Sequence, residues 1–316
     1  MAVVLISGGT GLIGTKLTTH LLENNHEVII LSRKRNKSSG NPKITFSFWD
    51  IKKQIIDGDV IKKADHIINL AGAGVMDKKW TKEYKNEIIE SRTKSISLLI
   101  KGLNENAHEV KSFVSASAIG WYGADPVPLL HKDGFIETDP ADNSFLGETC
   151  VLWETSAARV HDLGIRIVIL RTGIVLSNNG GAFKEFRGPV RFGVAGILGS
   201  GKQVVSWIHI DDICRMYLEA IENKELNGVY NAVAPLPVTN KKLTLKIAER
   251  IRNKFYIPIH VPTFLLKMIF GKRSVEILKS ATVCDKKIKA TGFTFLYPSI
   301  ESAVEELIPQ KNKLKD

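Results

Sequence analysis

Cysteine is scarce in this chain: 3 in 316 residues, with Cys150, Cys214 and Cys284 far apart and no C-x-x-C pair among them. That excludes a disulfide framework and a thiolate zinc site, and it fits reduced thiols in a cytoplasm. No apolar run approaches the ~20 residues that span a bilayer, so no membrane partner is expected. The apolar N-terminus has no basic region ahead of it and reads as a strand, not a signal. Acid is in deficit: 33 Asp and Glu face 44 Lys and Arg, for a net charge of +11. A basic chain admits anionic partners. Its cations fall in scattered pairs such as Lys52-Lys53, Lys78-Lys79 and Lys286-Lys287, without interleaved aromatics, so no specific nucleic-acid partner is expected. The run His209-Ile210-Asp211-Asp212 lacks further ligands at a recognisable spacing. No metal is expected.

What is present is organised around Val3-Val4-Leu5-Ile6-Ser7-Gly8-Gly9-Thr10-Gly11-Leu12-Ile13-Gly14. A short apolar run suits a parallel strand buried on both faces. Gly8 and Gly11 let the backbone turn sharply and approach a ligand, and Gly14 lets the following helix lie close to the sheet. A diphosphate rests well on such a helix N-terminus, where the backbone of Thr10, Leu12 and Ile13 meets it. The sequence thus predicts a strand, a dinucleotide turn and a helix over 12–23.

The second strand, Glu27 to Ser32, ends without the carboxylate that accepts hydrogen bonds from an adenosine ribose. Ser32-Arg33-Lys34-Arg35 follows instead, and cations there favour a 2′-phosphate, hence NADP in preference to NAD, with Arg33 first. Asp50, at the end of a third strand, has two readings: an acceptor for the adenine amino group, or a turn cap. The fourth strand runs from His66 into Leu70-Ala71-Gly72, whose small residues again allow backbone to approach a ligand. Arg92 sits among apolar neighbours on the helix that follows and needs a partner, either a cofactor group or a carboxylate of the chain itself.

A fifth strand leads through Ser115-Ala116-Ser117 to Gly120-Trp121-Tyr122-Gly123. Together with Gly8-x-x-Gly11-x-x-Gly14, Asp50-Ile51 and Asn69-Leu70-Ala71-Gly72, this resembles the extended or atypical short-chain dehydrogenase/reductase superfamily, of the nucleotide-sugar epimerase/dehydratase type. The resemblance implies an α/β fold with a Rossmann-type doubly wound parallel sheet and a smaller, mainly helical C-terminal substrate domain. It implies that Ser117, or else Ser115, orients a substrate group, that Arg171-Thr172-Gly173 passes the nicotinamide, and that the assembly is a homodimer. Trp207-Ile208-His209-Ile210-Asp211-Asp212, Asn231-Ala232-Val233-Ala234-Pro235 and Gly292-Phe293-x-Phe295-x-Tyr297-Pro298 are similar to one branch, an epimerase-like group with its own C-terminal domain.

The chain departs from the superfamily at one point. No Tyr-x-x-x-Lys occurs, and Leu146 and Cys150 fill the two slots on the expected helix. Two substitutes are carried forward: Tyr122 as proton donor, and Glu148 as an acid or base with a pKa raised by burial. The expected organisation is a cofactor domain over 1–237 with a glycine-rich, basic lid at 177–203, a C-terminal domain over 238–308 and a basic tail over 309–316. The expected function is an NADP(H)-dependent oxidoreductase or epimerase-like enzyme on a small anionic metabolite. The competing expectation is a non-catalytic NADP(H)-binding sensor acting through a protein partner.

Overall fold

The computed structural model describes residues 1–35, 37–127 and 129–309. The tail expected over 309–316 lies, beyond 309, outside the described residues. Strands and helices alternate from the start: β1 (Val3–Ser7), α1 (Leu12–Glu23), β2 (Glu27–Ser32), β3 (Ile44–Asp50), β4 (Ile55–Ile56), α2 (Gly58–Lys63), β5 (His66–Asn69), α3 (Lys82–Glu105), β6 (Ser112–Ala118), α4 (Phe145–Ala158) and β7 (Arg166–Thr172). Then come β8 (Ile174–Leu176), α5 (Ala182–Val190), β9 (Val194–Leu198), β10 (Val204–Val205), β11 (Trp207–His209), α6 (Ile210–Glu222) and β12 (Gly228–Ala232). The chain closes with β13 (Val238–Thr239), α7 (Asn240–Arg252), β14 (Ile257–Val261), α8 (Thr263–Phe270), α9 (Ser274–Leu278), α10 (Lys286–Lys289) and α11 (Ile300–Leu307).

Two compact units result. The first comprises 1–123, 137–172 and 213–232 and holds an eight-stranded sheet in the order β12-β7-β6-β5-β1-β2-β3-β4. All its pairings are parallel except that of β4 with β3. The expected doubly wound sheet is therefore present. Strand order reverses at β1, which has β2 on one side and β5 on the other, so a crevice opens at the carboxyl ends of β1 and β5. Helix packing follows from the sequence. Leu17 and Leu21 of α1 are fully buried, each such burial contributing about 1.5–3 kcal/mol. Thr81 caps α3 by accepting the Tyr84 N–H, and Ser144 caps α4 by accepting that of Gly147.

The second unit comprises 124–136, 173–212 and the chain from Val233 on. It contains three two-stranded pairings, β8 with β11, β9 with β14 and β10 with β13, and a core that joins Phe183 and Val190 of α5 to Leu243 and Ile247 of α7 and Ile300 and Val304 of α11. The segment 177–203, expected as a lid, carries α5 and β9 of this unit, and its Phe183, Val190 and Ala195 enter the core. β10 and β11 are separated at Ser206, whose hydroxyl donates to the Ala281 carbonyl at 2.8 Å and accepts the Val283 N–H at 3.0 Å. Asp211 and Asp212 lie inside the first turn of α6. The Asp212 carboxylate accepts the Leu296 and Tyr297 N–H groups at 2.7 and 3.0 Å, pinning the C-terminal segment. Among the described residues, no helix is long and apolar enough to cross a membrane.

Candidate functional site

The glycine turn lies at the reversal of strand order. Gly8 has φ +74, and a Cβ there would come within 2.7 Å of the Leu70 backbone. A Cβ on Gly14 would lie 2.4 Å from the Gly8 carbonyl oxygen. Both positions need glycine, one for its left-handed backbone and one for close approach. Gly11 begins α1 without a side-chain cap, and Thr10 and Gly11 are exposed, so the first amide groups of the helix are open to an anion. The backbone therefore forms a cradle that side chains would fill, at the place where a doubly wound sheet binds a dinucleotide diphosphate. Behind it, the Ser7 hydroxyl donates to Asn69 Oδ1 at 2.5 Å, and Leu70 N–H donates to the Ser7 carbonyl at 2.9 Å. Leu70, Ala71 and Gly72 are thereby held against the turn.

At the end of β2, Ser32 is buried and its hydroxyl accepts the Lys34 N–H at 3.1 Å. Arg33, Lys34 and Arg35 are exposed. Arg35 stacks over the Phe48 ring at 4.0 Å, whereas Arg33 has no partner among the described residues. Asp50 Oδ1 accepts the N–H groups of Lys52 and Lys53, each at 3.0 Å. Of its two readings, the turn cap is the one the backbone shows.

The sequence candidates for catalysis are drawn into a different arrangement. Ser117 is buried, and its hydroxyl donates to Glu154 Oε1 at 2.6 Å. Arg171 donates to both oxygens of the same carboxylate, from Nε to Oε1 and from Nη2 to Oε2, each at 2.9 Å. Its Nη1 donates to the Tyr122 hydroxyl and to the Glu137 carbonyl, each at 3.0 Å. Tyr122 donates in turn to Asn231 Oδ1 at 2.7 Å. Asn231 N–H meets Glu137 Oε1 at 2.8 Å, and the Trp121 ring covers the guanidinium at 3.7 Å. Burial first, then its hydrogen bonds and charge pairing with Glu154, govern the Arg171 guanidinium, and the pairing prevails: its pKa is raised. This is a closed, paired network below the carboxyl ends of β6, β7 and β12.

Several expectations change accordingly. Tyr122 is fully buried, and burial pushes its hydroxyl up to about 12, which makes it a poor proton donor and unreachable by substrate. Ser117 has its proton committed to Glu154. The Arg171 guanidinium is paired within the fold. Ser115 is buried, with its hydroxyl on the Ala116 carbonyl at 3.0 Å. Gly173 makes room for other backbone, since a Cβ there would lie 2.7 Å from the Ser206 carbonyl oxygen. Glu148 is exposed in the first turn of α4, so the expected burial is absent. It lines an open depression of about 470 Å³ with Asp142, Asn143 and Leu152, to which no residue of the glycine turn contributes.

Leu146 and Cys150 do stand together. A Cβ on Gly120 would be 3.3 Å from Leu146 Cβ and 3.7 Å from Cys150 Sγ. Burial pushes the Cys150 thiol up to about 11, so it is no ready nucleophile. Glu154 was not singled out from the sequence, although one signal was available: with Cys150, Trp153 and Ala157 it lies on the buried face of α4, where a carboxylate requires a cation.

A parallel sheet reversing at β1, with an uncapped glycine turn at the reversal, defines a dinucleotide-binding α/β protein. More narrowly, the chain belongs to the NAD dependent epimerase/dehydratase family, whose model matches residues 4–232. A domain of unknown function, DUF1731, matches residues 261–307. An epimerase family protein of Staphylococcus saprophyticus is 35% identical over 309 residues, covering 96% of this chain and 98% of its own. The human epimerase family protein SDR39U1, solved with NADPH, superposes with a TM-score of 0.85 at 28% identity, over 98% of this chain and 99% of that one. A nucleoside-diphosphate sugar epimerase from Corynebacterium glutamicum superposes at 0.75 with 30% identity, covering 97% of this chain and 58% of its own.

Proposed function

We propose that the protein binds NADP(H) and acts as an NADP(H)-dependent oxidoreductase or epimerase-like enzyme on a small anionic metabolite, without the usual tyrosine and lysine pair. The observation that carries this reading is the open cradle of Gly8, Gly11 and Gly14 at the uncapped start of α1. The exposed, unpartnered Arg33 at the end of β2 suits a 2′-phosphate, and the likeness to a human relative solved with NADPH points the same way. When bound there, a nicotinamide would supply hydride exchange. The chain places Leu146 and the buried Cys150 side by side in the slots the superfamily gives to tyrosine and lysine.

The enclosure of Tyr122 and Ser117 favours a second reading: an NADP(H)-binding sensor that performs no turnover. Titration of the protein with NADPH and NADH tests cofactor choice. NADPH absorbance followed across a library of anionic metabolites separates the two readings. Oxidation by any one metabolite supports the enzyme, and tight binding with silence throughout supports the sensor.

A further inference from the structure

β14 and α8, both in the second unit, carry apolar side chains that its core does not take. Ile257, Pro258, Ile259 and His260 are all exposed, because β14 pairs with β9 alone among the described residues. Ile257 N–H donates to the Gly193 carbonyl at 2.8 Å, and the Val261 carbonyl accepts the Gly199 N–H at 2.9 Å, so these residues turn their backbone towards β9. Pro258 and His260 alternate with them and turn theirs to the open edge, where Pro258 has no N–H to give. An edge lacking that donor is a poor template for a further strand.

α8 follows directly. Leu266 is buried, while Phe264 and Met268, one turn apart, lie on the far side of the helix in solvent. Ile269 and, in α9, Val275 are exposed as well. With Phe255 and Ile257 these make six large apolar side chains, each 60% to 83% exposed. The Gly199 turn ties the strand end to both helices: a Cβ there would lie 3.0 Å from Leu278 Cδ2 and 3.4 Å from Thr263 Oγ1.

The charge along this stretch has one sign. From Lys241 to Lys279 the chain holds ten Lys and Arg and two acids, Glu249 and Glu276. Lys246 meets the first at 3.0 Å and Lys279 the second at 2.7 Å, so neither acid is left to offset the rest. Lys254, Lys267 and Lys272 are exposed and make no ion pair among the described residues. Lys267 follows Phe264 by three residues, which lets its methylene stem lie along the apolar stripe while the ammonium reaches outward. A second copy docking by the same face would set these cations against their own kind. Exposed aromatic and aliphatic side chains among unpaired lysines match instead a surface that is apolar at depth and anionic on top.

We propose that the β14–α8 face docks on anionic lipid bilayers, with Phe264 and Met268 entering the acyl boundary and Lys254, Lys267 and Lys272 meeting the headgroup phosphates. The absence of a spanning run bears on crossing a bilayer and not on resting against one.

The test is co-sedimentation of the full chain with two kinds of vesicle, phosphatidylcholine alone and phosphatidylcholine with phosphatidylglycerol in equal parts. Two paired variants accompany the wild type: Phe264→Gln with Met268→Gln, and Lys267→Glu with Lys272→Glu. All four positions are exposed, and melting temperature checks that each variant is folded. The wild type is expected to bind the mixed vesicles and not the neutral ones, and to bind less as salt rises. Each variant is expected to bind about tenfold more weakly or worse. A wild type that stays in the supernatant with mixed vesicles overturns the proposal, as does equal binding to both kinds. Unchanged binding in the glutamine variant overturns it too, since net charge alone would then account for the attraction. Should that variant fail to fold, Met268→Gln alone carries the same comparison. Sedimentation equilibrium without vesicles covers the other occupants. In a protein that ignores vesicles, a dimer abolished by the glutamine variant assigns the face to a second copy, and a monomer leaves it to an acidic protein partner.

Discussion

Glu154 and Arg171 form a two-pronged ion pair, Nε to Oε1 and Nη2 to Oε2 at 2.9 Å each, with side chains 9% and 3% exposed. Removing one charge strands the other in a medium that solvates it poorly. Glu154→Leu and Arg171→Met are each expected to cost about 3–5 kcal/mol in urea unfolding, and the double variant less than the sum of the two. Fully additive losses would mean that the pair is not coupled.

Arg33→Ala is expected to weaken NADPH binding about tenfold or more while leaving NADH affinity unchanged, because only the 2′-phosphate distinguishes the two. Titration of both nucleotides reads this directly. Equal affinities before and after the substitution would take Arg33 out of cofactor selection.

Gly14→Ala puts a methyl group 2.4 Å from the Gly8 carbonyl oxygen, where backbone has to move. The expected cost is about 1–3 kcal/mol of stability, together with loss of nucleotide binding, since the displaced atoms are those of the cradle. Melting temperature and titration on the same sample check both effects.

Burial moves His66 down from 6.5 to about 4 against the opposing pull of Asp65, and its Nδ1 lies 2.8 Å from Ser112 Oγ. The unfolded chain therefore binds more protons than the folded one between these two values, so stability falls as pH drops from about 6.5 towards 4. Urea midpoints at pH 7 and pH 5 should differ more in the wild type than in His66→Gln.

How much of this was legible in the sequence depends on how local the signal is. The strand of Val3 to Ile6, the helix from Leu12 and the strand from Glu27 follow from nearby apolar pattern and glycine spacing, and the structure has them there. The glycine turn was legible for the same reason. Tyr122 and Ser117 misled because their neighbours in sequence resemble a reactive strand end, whereas their partners, Asn231 and Glu154, are 109 and 37 residues away. The side-chain partner of Arg171 was hidden likewise, being a carboxylate on another element. Long-range pairing of polar groups leaves no periodicity to read.

The second unit is woven from three stretches of chain, with β9 paired to β14 and α5 packed in one core with α7 and α11. During synthesis the residues of β9 and α5 emerge well before their partners. Until the ribosome has delivered the chain through α11, an apolar helix face and an open strand edge stay exposed, so this half matures late and is the half a chaperone would meet. Truncation after residue 232, where the family match ends, would leave that exposed state permanent.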